Sequence, residues 1–329
     1  MCPLGEGVAG GRSTRAIFVL MSVVSLPEEH WAAALADVEG VELVVWDMKA
    51  DPPRDDIELV VPPYMSNPNR LARLAQLSKL RAVQLVTAGF EHALQYLPDG
   101  VVLANGRGIH DTSTAELAVG LAIAAQRGIP QSARAQEDGE WLRLAGLPSL
   151  ADRKALIVGY GSIGVEIAKR LVPMEVSVTA VASRARAGDD IVEAVHGIDE
   201  LPALLPTHEV VFLIVPLTDE TRHLVDAAFL ARMPPNALLV NVARGGVVDT
   251  DALVQACASG HVRAALDVTD PEPLPADHPL WHTDGVLITP HVGGASTAFE
   301  PRALRLLRRE LTRFADGEPL QNVVATGPQ

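Results

Sequence analysis

The chain has 329 residues, 48% of them apolar and 21% charged, which excludes intrinsic disorder and fits about two domains of ~150 residues. Lys and Arg total 27 against 41 Asp and Glu, a formal charge of −14. That balance excludes nucleic acid and anionic membrane as main partners, because both need a basic surface.

Residues 1–13 are rich in Gly and small residues and read as a disordered lead-in. Ala16–Val24 is an apolar run behind Arg12 and Arg15, like the apolar part of a signal peptide, with Val23-x-Ser25 as a tolerable cleavage site. Pro27 and a helical pattern from Glu28 favour the other reading, a buried parallel strand over 16–21. No run approaches the ~18 to 20 apolar residues of a membrane span. Strands are then expected at 41–46, 58–61, 82–86 and 101–103, with helices at 28–38 and 68–78. This alternation implies parallel strands covered by helices on both faces. A long apolar helix follows at 112–127, with Ser113 and Glu116 at capping-box spacing. It is apolar nearly all round, which predicts burial on more than one side, as in a dimer interface. After a polar stretch with Gly139, Gly146 and Pro148, a second alternating series places strands at 154–158, 176–181, 210–214, 237–241, 263–267 and 286–288. An amphipathic helix at 298–316 ends the pattern and returns to the first unit. The fold class is α/β, with two Rossmann-like doubly wound parallel-sheet domains and a cleft between them. Cys2 and Cys257 give neither a disulfide framework nor a zinc-finger spacing, and a reducing, cytoplasmic setting is expected.

The most informative segment is Lys154–Gly164, where an apolar strand runs into Gly159-Tyr160-Gly161-Ser162-Ile163-Gly164 and on into a helix. Gly159 suits a tight turn, Gly161 a close approach to pyrophosphate, and Gly164 close packing of helix on strand. The helix N-terminus adds free N–H groups. The next strand chooses the cofactor. A ribose-binding acid is expected about 20 residues on, but Ala182 stands there, followed by Ser183, Arg184 and Arg186. No carboxylate repels a 2′-phosphate, and either Arg can pair with one. NADP(H) is favoured, with NAD(H) the alternative.

Three further strand ends carry chemistry: Arg244 before Gly245-Gly246, Glu272 between Pro271 and Pro273, and His291 before Val292-Gly293-Gly294. An Arg for a substrate carboxylate, a His as proton donor and a carboxylate to keep it protonated suit hydride transfer to a 2-keto acid. His278 and His282 are four apart, but Pro279 between them spoils a helical metal pair, and no metal site is expected. His110 reads as a hinge or capping residue.

Taken with Asn105…Ser113-Thr-Ala-Glu116, Gly139-x-Trp141, Val215-Pro216-Leu-Thr-x-x-Thr221, Asn241-x-Ala-Arg244-Gly-Gly and Leu266-Asp267-Val, these motifs resemble the D-isomer-specific 2-hydroxyacid dehydrogenase family over nearly the whole chain. The resemblance implies His291 as acid/base, Glu272 as its partner, and Arg244 on the substrate carboxylate and carbonyl. It implies Asp267, Val242 and Ala243 at the nicotinamide carboxamide, and Val215, Pro216 and Thr221 on the adenosine and phosphate side. Gly293 joins the cofactor set, and Thr87, Ala88 and Gly89 offer backbone to the substrate carboxylate. It further implies a cofactor domain at 106–291 inserted in a substrate domain of 1–105 plus 292–329, and a homodimer. The chain departs from the family at Ala182 and at Phe90-Glu91, where a small or aliphatic residue and then a polar one are usual. Glu272 stands where formate dehydrogenases carry Gln, and the end at Gln329 reads as a short form without a regulatory tail. The expected activity is NADP(H)-dependent reduction of a small 2-keto acid such as glyoxylate or hydroxypyruvate. A cofactor-sensing protein of the corepressor type is the alternative on the same fold.

Overall fold

The computed structural model describes residues 21–328. Two sheets organise them. The first takes β1 (Ser22–Leu26), β2 (Val41–Val45), β3 (Leu59–Val60), β4 (Ala82–Gln84) and β5 (Val102–Ala104). The second takes β6 (Lys154–Val158), β7 (Ser177–Ala182), β8 (Arg186–Ala187), β9 (Ala194–Gly197), β10 (Val210–Leu213), β11 (Ala237–Asn241), β12 (Val262–Leu266) and β13 (Val286–Ile288). Finally β14 (Val323–Thr326) returns to the first sheet, antiparallel to β5.

The central strands read as unbroken apolar runs because both faces are covered: every residue of β10 and β11 is buried. The second sheet runs β13-β12-β11-β10-β6-β7-β9-β8, parallel except for β8. Its order reverses between β6 and β10, and such a switch point opens a crevice at the carboxyl ends of the strands. The first sheet, β14-β5-β4-β3-β1-β2, has its own reversal between β1 and β3. The helix Asp111–Gln126 crosses from one sheet to the other and buries Ala115, Ala118, Leu121 and Ala122 against the second. The helix Phe299–Ala315 buries Ala303, Leu307, Leu311 and Phe314 on the first.

Several sequence expectations need correction. The first strand is Ser22–Leu26, and residues 16–20 of the expected strand lie outside the described residues. The segment 68–78 is a 3-10 helix, Pro68–Gln76. Its buried Leu71 and Leu74 are three apart, the spacing that eclipses in a three-residue turn. The Ser113/Glu116 capping box does not form. The helix starts at Asp111, so Ser113 lies inside its first turn and its Oγ donates to His110 O at 3.2 Å. Among the described residues, no helix is long and apolar enough to cross a membrane.

Candidate active site

Apart from Arg186, which lies on β8, the site segments expected from the sequence lie in loops and turns after the carboxyl ends of strands. The three loop glycines have three separate steric reasons. Gly159 has φ +110°, and a Cβ there would press on Ile214 O. A Cβ on Gly164 would overlap Gly159 O, where helix meets strand. A Cβ on Gly161 would meet nothing within 4 Å. That open space lies at the start of the helix Ser162–Leu171, whose first amides have no partner inside the helix. An anionic pyrophosphate fits this cradle. Ser162 and Ile163 stand at the helix start, whereas Tyr160 turns inward. It is 4% exposed and its hydroxyl donates to Asp189 at 3.1 Å, so only its backbone belongs to the loop's open side.

Beyond β7, Ser183 and Arg184 are exposed. Arg186 sits on β8, and its Nη2 donates to Tyr160 O at 2.6 Å. It braces the glycine loop, which leaves Arg184 as the cation of this stretch without such a task. After β10, Val215 and Pro216 open a loop that Thr221 closes by donating from Oγ1 to Pro216 O at 2.6 Å.

The Arg244 loop is shaped by a buried asparagine whose role no local motif shows. Asn241 ends β11, is 1% exposed, accepts from Ala243 N at 3.0 Å and donates to Arg244 O at 3.1 Å. Val242 and Ala243 are buried beneath it. Arg244 Nη1 donates to Ala243 O at 2.7 Å, and its Nη2 lies where a Cβ on Gly89 would fall. Arg244, from the second sheet, therefore rests on the Thr87-Ala88-Gly89 loop of the first. That loop is itself held: Asn105 Nδ2 donates to Ala88 O at 2.7 Å, and Thr87 Oγ1 to Gly89 O at 2.7 Å. The amides of Ala88 and Gly89 donate to nothing among the described residues.

His291 and Glu272 meet, with Nδ1 2.6 Å from Oε1. The hydrogen bond to Glu272 raises the His291 pKa above 6.5, against the opposing effects of burial and the Arg244 charge. The same bond lowers that of Glu272 below 4.5. An ionised carboxylate only accepts, so Nδ1 carries the hydrogen and Nε2 is the nitrogen left for a substrate. His291 has φ 53°, an uncommon conformation for a non-glycine residue. Asp267, 2% exposed, holds it there. Its Oδ1 accepts from Thr289 Oγ1 at 2.6 Å and Val292 N at 2.9 Å, and its Oδ2 from Gly293 N at 2.8 Å. Asp267 O also accepts from His291 N at 2.8 Å. His110 lies nearby, buried, its Nε2 donating to Val86 O at 3.2 Å and its ring stacked on Phe299. Burial pushes its pKa down.

The arrangement predicts a pH signature. In Glu272→Gln, NMR titration of the His291 imidazole is expected to give a pKa lowered toward or below ~6.5, since burial and Arg244 then act unopposed by the carboxylate. The pair's stabilisation is full between about pH 4.5 and 6.5. It fades as pH climbs through the raised His291 pKa, and as pH falls through the lowered Glu272 pKa. An unchanged imidazole pKa in Glu272→Gln would contradict the pairing.

Residues 119–293 match the family model described as D-isomer specific 2-hydroxyacid dehydrogenase, NAD binding domain. A glyoxylate reductase of Thermofilum pendens is 34% identical over 250 residues, 73% of this chain and 73% of that one. A glyoxylate reductase/hydroxypyruvate reductase of Mus musculus is 32% identical over 289 residues, 82% of this chain and 87% of that one. Among solved structures, a D-isomer specific 2-hydroxyacid dehydrogenase from Xanthobacter autotrophicus Py2, in complex with NADPH and MES, superposes with a TM-score of 0.76 at 29% identity, covering 93% of this chain and 98% of that one.

Proposed function

The chain belongs to the D-isomer-specific 2-hydroxyacid dehydrogenase family, and from that premise we propose that it reduces a small 2-keto acid with NADPH, in a cytoplasmic setting. The observation that carries this reading is the His291 Nδ1–Glu272 bond, which leaves Nε2 for the substrate near Arg244 and raises the imidazole pKa, favouring the form that can give a proton. Arg244, with the unpartnered amides of Ala88 and Gly89, would bind the substrate carboxylate. His291 would give its Nε2 proton to the carbonyl oxygen, and Glu272 would stabilise the imidazolium beforehand. When bound, the nicotinamide supplies the hydride.

The open side of Gly161 fits the pyrophosphate, with Gly159, Ser162, Ile163, Gly164, Val215, Pro216 and Thr221 around it. Asp267 spends three of its roughly four acceptor positions on the His291 loop, leaving one for the nicotinamide carboxamide beside Val242, Ala243 and Gly293. Ser183 and Arg184 would take the 2′-phosphate. The first sheet's strands come from 22–104 and 323–326 and the second's from 154–288, which supports 1–105 plus 292–329 as substrate domain and 106–291 as cofactor domain.

Assembly belongs to the same reading. Ile129, just past the crossing helix, and Trp141, in the loop after the helix Ile129–Glu137, are 51% and 88% exposed in the single chain, apolar side chains that a homodimer would cover. Light scattering at micromolar concentration is expected to give twice the 34.9 kDa chain mass, and a single-chain mass would remove this element.

The kinetic test uses both cofactors with glyoxylate, hydroxypyruvate and pyruvate. NADPH is expected to exceed NADH in kcat/KM by about tenfold, the value of one screened Arg–phosphate contact. Ala182→Asp with Arg184→Ala should reverse the order by adding a ribose acceptor and removing the phosphate partner. A wild type that prefers NADH defeats the cofactor choice, and one that reduces no 2-keto acid defeats the reading.

A further inference from the structure

The loop that would receive the substrate carboxylate carries an acid of its own. Glu91 Oε2 accepts from Phe90 N–H at 2.9 Å. The same oxygen lies 3.2 Å from the point a Cβ on Gly89 would occupy. Arg244 reaches that point from the other sheet, its Cζ also 3.2 Å away. Guanidinium and carboxylate thus flank one glycine, yet they form no ion pair among the described residues.

His92 follows Glu91, and burial pushes its pKa down, so it adds no cation at neutral pH. His291 and Glu272 offset one another. Of the charged side chains placed against Gly89 among the described residues, Arg244 is the cation and Glu91 the anion. A single substrate carboxylate takes Arg244 and the free amides. A second anion on the same small molecule meets the field of Glu91, a repulsive element of the kind that sets specificity.

Resting on the dehydrogenase reading above, we propose that Glu91 is a specificity residue that admits short 2-keto acids with one negative charge and rejects those carrying a second carboxylate or a phosphate. Its hydrogen bond to Phe90 fixes the carboxylate at the loop. A purely structural Glu91 would serve the same turn without caring about substrate charge.

The experiment separates the two. Glu91→Gln keeps an acceptor for Phe90 N–H and removes only the charge, whereas Glu91→Asp keeps the charge. Steady-state reduction of hydroxypyruvate is compared with that of oxaloacetate, 2-oxoglutarate and 3-phosphohydroxypyruvate at low ionic strength. The ratio of kcat/KM, singly over doubly charged substrate, is expected to fall about tenfold in Glu91→Gln and to stay near wild type in Glu91→Asp. Added salt should lower the wild-type ratio as well, because the residue is exposed and its field is screened. An unchanged ratio in Glu91→Gln overturns the proposal while hydroxypyruvate turnover leaves the dehydrogenase reading standing. Failure of the wild type to reduce any of these acids overturns both.

Discussion

One buried carboxylate sets the geometry of the cleft. Asp267 directly follows β12, lies almost wholly out of water and would be costly there without partners. It is compensated by a hydroxyl and two amides from Thr289–Gly293, and charge-assisted bonds of this kind are stronger than neutral ones. Those bonds wrap the loop around the carboxylate and hold His291 at positive φ. The imidazole is then delivered to Glu272 rather than left to search for it. A histidine on a free loop would lose much of this advantage to conformational entropy.

The second constraint is that no single sheet makes the site. His291, Glu272 and Arg244 come from loops of the second sheet, and the Thr87-Ala88-Gly89 backbone from the first. They meet because Arg244 lies against a residue with no side chain. Gly245 serves the same end on its other side, where a Cβ would overlap Thr269 O and push the Arg244 loop off the Glu272 loop. Glycine here is a requirement of close approach between loops that asparagines already tie down, Asn105 the Thr87-Ala88-Gly89 loop and Asn241 the Arg244 loop. Asn241 donates and accepts within one turn, whereas Asn105 accepts from Arg107 N in its own turn and donates across to Ala88 O, both through one carboxamide.

Much of this is legible in the sequence where the cause is local. Gly159, Gly161 and Gly164 can be assigned from spacing because strand, turn and helix follow one another directly. Arg244, Glu272 and His291 stand out because each lies in a loop after a strand beside a turn residue, and the family resemblance supplies their expected roles. What stays hidden is long-range. The partners of Asp267 lie 22 to 26 residues away, so its grip on the His291 loop leaves no local pattern. Arg186 reads as a loop cation until β8 folds back on β9 and turns it toward Tyr160 O, 26 residues upstream. Tyr160 reads as a cofactor contact until Asp189 draws its hydroxyl inward. The short strand β14 is silent because its pairing with β5 bridges more than two hundred residues.

The central claim is that Asp267 places His291, and turnover of Asp267→Asn tests it most directly. Measured at saturating cofactor and substrate, so that weaker binding does not enter, kcat is expected to fall about 100-fold. That is the loss a ~1 Å misplacement of a reacting group can cause. The variant replaces an oxygen acceptor by an NH₂ donor facing amide donors, which forces the loop away. A kcat equal to that of the wild type would contradict the account.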